Sequence, residues 1–231
     1  MEPVSLAVEA VRHRHPGQDR DTPPAVSFSL VPGARALLLG ANGAGKTTLF
    51  LRLVGLLAGP GVVRVGGDEM SGAQVRRLRR RIGFLWQNPD DALLLPTVLE
   101  DVALGPVNDG RGSPEALDLA RGWLERLGIA HLAHRAVRDL SLGEKQLVSV
   151  AGVLAREPGL LLLDEPAAAL DREHRERLAA VLAGLPATIL MSAHDPDWWS
   201  VRGFATRVDL SAVETERAAD PSFRPGPGPC A

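Results

Sequence analysis

The sequence predicts an α/β fold in which strands and helices alternate and a separate helical block is set into the middle. Three observations carry that reading. Short apolar runs suited to strands recur between helix-length segments. A glycine-rich turn joins one of those strands to a helix. A run of four leucines, Leu160 to Leu163, ends in the paired carboxylates Asp164 and Glu165.

Taken in order, Val4, Leu6 and Val8 alternate with Ser5, Ala7 and Glu9, the pattern of a half-buried strand. Val26 to Val31 alternates similarly, and Ala34 to Leu39 reads as a buried strand closed by glycine. A helix continues through Leu49 to Leu57 until Gly59-Pro60-Gly61 breaks it. Val62 to Val65 and Ile82 to Trp86 are short strands. Arg76 to Arg81 reads as a solvated helix face. Val98 to Leu104, Ser113 to Leu127 and Gly143 to Ala155 are helical, with Ser113 as N-cap and Pro114 at the first helical position. Leu160 to Leu163, Arg172 to Leu182, Ala187 to Met191 and a strand near Arg207 to Leu210 then restore the alternation. Residues 1–217 are expected to form one domain with a helical insertion at about 88–139. The Pro/Gly-rich stretch from Ala218 onward is expected to be a disordered tail.

Composition narrows the function classes. With 45% apolar and 23% charged residues over 231 positions, the chain can bury a full core. A formal charge of −2 argues against nucleic acid as the main partner. Cys230 is the single cysteine, so one chain forms no disulfide and no cysteine-based metal site, as suits a reducing compartment. Met1 to Ala10 lacks the layout of a signal peptide, and no run reaches the ~18 apolar residues of a membrane helix. A soluble chain is therefore expected. Of 26 basic residues only Lys46 and Lys145 are lysines, which marks Lys46 as a place where a compact ammonium matters. Lys145 reads as a surface helix residue.

The segment Gly40-Ala41-Asn42-Gly43-Ala44-Gly45-Lys46-Thr47-Thr48 has the spacing G-x-x-x-x-G-K-[ST] between a strand and a helix. Glycines let backbone N–H groups converge on a polyphosphate, and the helix that follows aims its positive dipole end at the same anion. Lys46 can reach the β- and γ-phosphates and Thr47 can ligate Mg²⁺. Asp164, at the end of the leucine strand, is a second Mg²⁺ ligand, and Glu165 can polarise an attacking water.

Around these residues stand further motifs. Leu140-Ser141-Leu142-Gly143-Glu144-Lys145-Gln146 resembles the signature L-S-G-G-x-x-Q of the ATP-binding-cassette (ABC) family. Gln87 resembles that family's Q-loop glutamine, Ala168-Ala169-Leu170-Asp171 its D-loop, and His194 its switch histidine. The resemblance covers most of residues 1–210. It implies a P-loop NTPase of the ABC type: a RecA-like α/β core, an N-terminal antiparallel β-subdomain and an inserted helical subdomain. It further implies an ATPase that works as a dimer, each nucleotide lying between one subunit's phosphate loop (Gly40, Asn42, Gly43, Ala44, Gly45, Lys46, Thr47, Thr48) and the other's signature. Ser141, Gly143, Gln146 and Asp171 would contact that nucleotide across the interface. His194 would order the Glu165-bound water, and Gln87 would sense Mg²⁺ and water.

Gln87-Asn88-Pro89-Asp90-Asp91, followed by Thr97-Val98-Leu99-Glu100-Asp101-Val102-Ala103-Leu104-Gly105-Pro106, is similar to the energy-coupling-factor ATPases that drive import of cobalt, nickel or vitamins. That similarity implies an integral membrane transporter subunit as partner and a position at the cytoplasmic face of the membrane. Several positions depart from the pattern. Leu142 stands for the first signature glycine, Leu147 for an arginine, and Ala167 and Ala169 for threonine and glycine. With no tyrosine in the chain, His15 takes the place of the ring that stacks on adenine. Trp198-Trp199 reads as aromatic packing beneath the last strand.

Overall fold

A computed structural model describes residues 1–17 and 21–210. The expected tail from Ala218 lies outside the described residues. Alternation of period two puts Leu6 and Val8 on the buried side of β1 (Leu6–Val11), and β2 (Val26–Leu30) does the same with Val26, Phe28 and Leu30. β3 (Arg35–Leu39) leads into the glycine loop and α1 (Lys46–Leu53). β4 (Val62–Val65) and the short β5 (Asp68–Glu69) follow. β2, β1, β4 and β5 pair in that order as an antiparallel sheet.

α1 stops before the expected Leu57 because Gly55 turns into the left-handed region, with φ 68°. The arginine-rich stretch forms α2 (Val75–Arg79), and it does more than face solvent. Arg79 donates from Nε to the Val54 carbonyl at 2.9 Å and from Nη2 to that of Gly55 at 2.7 Å, occupying acceptors that the end of α1 leaves open.

After β6 (Ile82–Leu85) and a single 3₁₀ turn at Pro89–Asp91 come α3 (Val98–Asn108) and α4 (Ser113–Arg126), within the expected insertion, and then α5 (Leu142–Ala155), which follows it and packs on both. Ser113 is not the cap of α4. Gly112 is the extended residue whose carbonyl accepts the first helical bond, from Ala116 N–H at 3.0 Å, so Ser113 and Pro114 become the first two helical positions. Backbone bonds from Leu99 to Ala133 and from Val137 to Pro96 draw the two ends of the α3–α4 excursion together.

β7 (Leu160–Leu163), α6 (Arg172–Gly184), β8 (Thr188–Ser192), α7 (Pro196–Ser200) and β9 (Thr206–Asp209) complete the chain. The five-stranded sheet is parallel, in the order β6-β7-β8-β3-β9. β7 lies between two partners and is buried on both faces, which is why four consecutive leucines suit it. Leu161 and Leu163 pack towards the insertion helices and α6, whereas Leu160 and Leu162 pack towards α1 and the antiparallel sheet. Among the described residues no helix is long and apolar enough to cross a membrane.

Asp101 fixes how the segment after β6 meets α3. Its Oδ2 accepts the N–H groups of Leu94 and Leu95, both at 2.6 Å, while the residue is only 9% exposed. Burial raises the carboxyl above its ordinary value, and the two donors offset this only in part. The unfolded carboxyl thus ionises first, so this group's contribution to stability declines as pH rises through and above the usual carboxylate range. Asp101→Asn keeps an acceptor oxygen and should abolish that decline. Asp101→Ala strands two amides and should cost about 1–3 kcal/mol. Urea denaturation at pH 4 to 8 measures both.

Candidate active site

Parallel strands deliver their following loops to one edge of the sheet, and here β3, β7 and β8 deliver the glycine loop, Asp164-Glu165 and His194 to that edge. Gly43 (φ 80°) and Gly45 (φ 94°) adopt the left-handed backbone that the loop requires. Gly45 is also closely approached, since a Cβ there would sit 2.5 Å from Pro23 N. No side chain caps the start of α1, which leaves its first N–H groups facing the loop. Lys46 Nζ donates to the carbonyls of Gly40 (2.8 Å) and Ala41 (3.3 Å), arching over the loop it follows.

The carboxylate of Asp164, 1% exposed, is held from two sides. Thr47 Oγ1 donates to Oδ2 at 2.5 Å and Ser192 Oγ to Oδ1 at 2.6 Å. Ser192 also accepts the Glu165 N–H at 2.9 Å. Glu165 stands at φ 51°, a left-handed conformation that costs a non-glycine residue about 1–3 kcal/mol. That kink turns its side chain toward two partners at Oε2: His194 Nε2 at 2.8 Å and Gln87 Nε2 at 3.3 Å. Thr47 and Asp164 present hydroxyl and carboxylate oxygens, the hard donors that Mg²⁺ takes, with phosphate and water left to complete its shell.

A cleft of about 380 Å³ collects His15, Asn42, Lys46, Thr47, Thr48, Gln87, Asp164 and Glu165, whereas His194 and Ser192 line a neighbouring pocket that shares Glu165 with it. His15 Nε2 lies 3.2 Å from Thr48 Oγ1, with its ring edge-on to His13 at 4.7 Å. Ser141, Gly143 and Asp171 do not line this cleft. Ser141 caps α5 in a reciprocal box with Glu144, and Asp171 caps α6 by accepting the His174 N–H at 2.9 Å. Gly143 abuts the D-loop, where an added Cβ would meet the Ala169 carbonyl at 2.9 Å.

Two positions depart from the sequence reading. Gln146, expected to reach across an interface, is 2% exposed and its Nε2 has no hydrogen-bond partner among the described residues, because α5 turns it inward against its neighbours. Lys145 is no free surface lysine: its Nζ donates to Asp90 Oδ1 at 2.6 Å. Both tryptophans pack: Trp199 lies edge-on to Phe204 with ring centroids 5.5 Å apart, and Trp198 edge-on to Trp199 at 4.8 Å, with the guanidinium groups of Arg175 and Arg202 against the Trp198 ring. Ser192 was missed altogether. It stands two residues before the switch histidine, and only the pairing of β7 with β8 brings it beside Asp164.

Comparison with known proteins defines the class. The ABC transporter family model matches residues 24–168. A Brucella suis protein assigned as an ABC transporter ATP-binding protein is 46% identical over 171 residues, covering 74% of this chain and 72% of that one. The energy-coupling factor transporter ATP-binding protein EcfA of Methanothermobacter thermautotrophicus is 38% identical, over 79% of this chain and 60% of its own. Among solved structures, CbiO1 of Clostridium perfringens, part of the ABC transporter complex CbiONQ, superposes with a TM-score of 0.73 at 31% identity. It covers 86% of this chain and 81% of that one. The dimeric cassette MJ0796 with ADP and phosphate gives 0.78 at 24% identity, over 86% of this chain and 91% of that one, a likeness of fold alone. The chain belongs to the ABC transporter ATP-binding family. It is an ATP-binding subunit and an ATPase.

Ser192→Ala removes the hydroxyl that joins Asp164 to the Glu165 backbone. It should destabilise the chain by about 1–3 kcal/mol, because it leaves a buried N–H and one carboxylate oxygen short of a partner. Guanidinium denaturation of the two proteins measures the difference.

Proposed function

We propose that the chain hydrolyses Mg-ATP to drive an importer of the energy-coupling-factor type, for cobalt, nickel or a vitamin. It would be bound peripherally at the cytoplasmic face of the membrane, paired with a second ABC ATPase and with an integral membrane subunit. The observation that carries the catalytic part is the convergence of His194 and Gln87 on one oxygen of Glu165, beside the Thr47–Asp164 pair.

Lys46 and the N–H groups of the loop, from Gly40 through Thr48, would bind the β- and γ-phosphates, with His15 against the base. Bound Mg²⁺ would supply charge neutralisation on the phosphate oxygens, held by Thr47 and Asp164 with Gln87 nearby. Glu165 would take the proton of the attacking water, and His194 and Gln87 fix the carboxylate that does so. Because Oε2 already accepts from Gln87 and lies 2.8 Å from His194 Nε2, the nucleotide would have only to redirect these groups, not to bring them together. Ser141, Gly143 and Asp171 lie outside the cleft and would complete it from the second subunit.

The importer reading rests on the strip from Gln87 to Pro106 and on the likeness to EcfA and CbiO1. Along that strip runs a groove lined by apolar Trp86, Leu93, Leu94, Leu104 and Val153, with Leu94 73% exposed, and by polar Asp91, Asn108, Asp109 and Arg156. A groove with an apolar stretch and charged flanks suits an amphipathic helix of the membrane subunit.

Glu165→Gln is expected to lower the ATPase rate by about 10²–10⁴-fold while ATP binding persists. Hydrolysis assays with mass in solution read both, and an unchanged rate sinks the assignment of Glu165. Uptake of radiolabelled cobalt or nickel by cells that carry the chain and its membrane subunits tests the substrate. Loss of uptake with Glu165→Gln supports it, and uptake indifferent to that change removes these metals from the proposal.

A further inference from the structure

Two parts of this chain should answer to nucleotide in different places. Gln87 touches Glu165 in the chain's own cleft, whereas Ser141 and Gly143 at the start of α5 are offered to the other subunit's nucleotide. The turn after Gln87 packs on α5, and across that contact runs the ion pair between Lys145 and Asp90, with Nζ 2.6 Å from Oδ1. Lys145 is 19% exposed, so the ammonium is drawn off the surface. It is also one of only two lysines among 26 basic residues, the other being the phosphate-loop Lys46.

The Asp90 side chain is 57% exposed, but the backbone at both ends of the pair is tied. Asp90 sits in the 3₁₀ turn Pro89–Asp91, three residues after Gln87, and that turn is tied by the Asp90 N–H to Asn88 Oδ1 (3.2 Å) and by the Ala92 N–H to the Pro89 carbonyl (3.0 Å). Lys145 sits in the first turn of α5, where its own N–H donates to the Ser141 carbonyl at 2.9 Å. The Ser141–Glu144 box and the Arg135–Glu144 pair lock the rest of that turn. A displacement of the turn after Gln87 therefore reaches Ser141 and Gly143 through this charge-assisted bond in addition to the packing of the turn on α5. That packing is not closed. Gln146 Nε2 and Ser149 Oγ, on the buried side of α5, have no hydrogen-bond partner among the described residues. Orphaned polar groups beside a strapped turn are what an interface with a second arrangement leaves unsatisfied in the first.

We propose that Lys145 is a positioning residue: with Asp90 it forms a strap that makes the signature end of α5 follow the Gln87 loop, so that nucleotide in a chain's own cleft sets the signature it offers its partner. The inference rests on the Mg-ATP reading above.

The experiment is amide hydrogen exchange, read by mass spectrometry on the full chain at a dilution where mass in solution shows single chains, so that no partner's nucleotide covers residues 141–149. It is run with and without Mg²⁺ and a non-hydrolysable ATP analogue, for wild type, Lys145→Met and Lys145→Arg. The strap predicts that the analogue changes exchange in residues 41–49 of all three proteins. In residues 141–149 it should do so in wild type and Lys145→Arg, and at least several-fold less in Lys145→Met. An equal response in Lys145→Met overturns the strap, as does protection at 41–49 in wild type with none at 141–149. Faster exchange throughout α3–α5 of Lys145→Met before analogue is added would make Lys145 merely structural and also overturns it. No protection at 41–49 in wild type is a different failure, that of the nucleotide reading itself.

Discussion

The buried carboxylate of Asp164 is the constraint on which the rest of the site depends. An ionised group almost closed off from water carries a desolvation penalty of several kcal/mol unless its lone pairs are occupied. Both oxygens are occupied by hydroxyls, one from the first turn of α1 and one from the last residue of β8. Those hydroxyls arrive there only because β3, β8 and β7 are neighbours in the sheet, and the leucines of β7 hold that order by filling both faces at once. Core and chemistry are thus one structure at this edge. Whatever loosens the packing of β7 also separates Thr47 from Ser192.

Glu165 shows how that rigidity is used. A left-handed glutamate is unfavourable in isolation, and it persists because Ser192 takes the backbone N–H that the kink exposes. One serine therefore serves two neighbours, donating to a buried carboxylate and holding the next residue in a strained turn. The result is a carboxylate whose direction is fixed by the backbone before His194 and Gln87 add their bonds. In the proposed reaction such preorganisation would lower the reorganisation needed as Glu165 takes a proton from the attacking water.

Much of this was legible in the sequence, for identifiable reasons. The strand–glycine loop–helix order fixed Lys46 and Thr47, and four leucines followed by two acids located Asp164 and Glu165, because both patterns are local. Element boundaries were less legible where one glycine decides them, as at Gly55 and Gly112. The arginines of α2 looked merely solvated because a sequence does not reveal that the carbonyls ending α1 lie beside them. Ser192, the burial of Gln146 and the Lys145–Asp90 bond depend on contacts between elements far apart in the chain. No periodicity reports on these.

The signature poses a conflict that its hydrogen bonds resolve. Ser141 is engaged as a helix cap, and a cap already in use looks unavailable to a second ligand. The capping bond uses an acceptor lone pair of the hydroxyl, from the Glu144 N–H at 3.3 Å. The Ser141 N–H, given to Glu144 Oε2 at 2.7 Å, and after it the hydroxyl proton, given to the same carboxylate, hold that group below its ordinary value. The N–H bond keeps the backbone turn in shape if the hydroxyl proton turns elsewhere. In the proposed reaction a phosphate would compete with Glu144 for that one proton, without disturbing the cap of α5. Leu142, the next residue and 57% exposed, adds no competing polar group and leaves the N terminus of α5 open. Its bulk makes shape, not hydrogen bonding, the property in which this signature differs from one with two glycines.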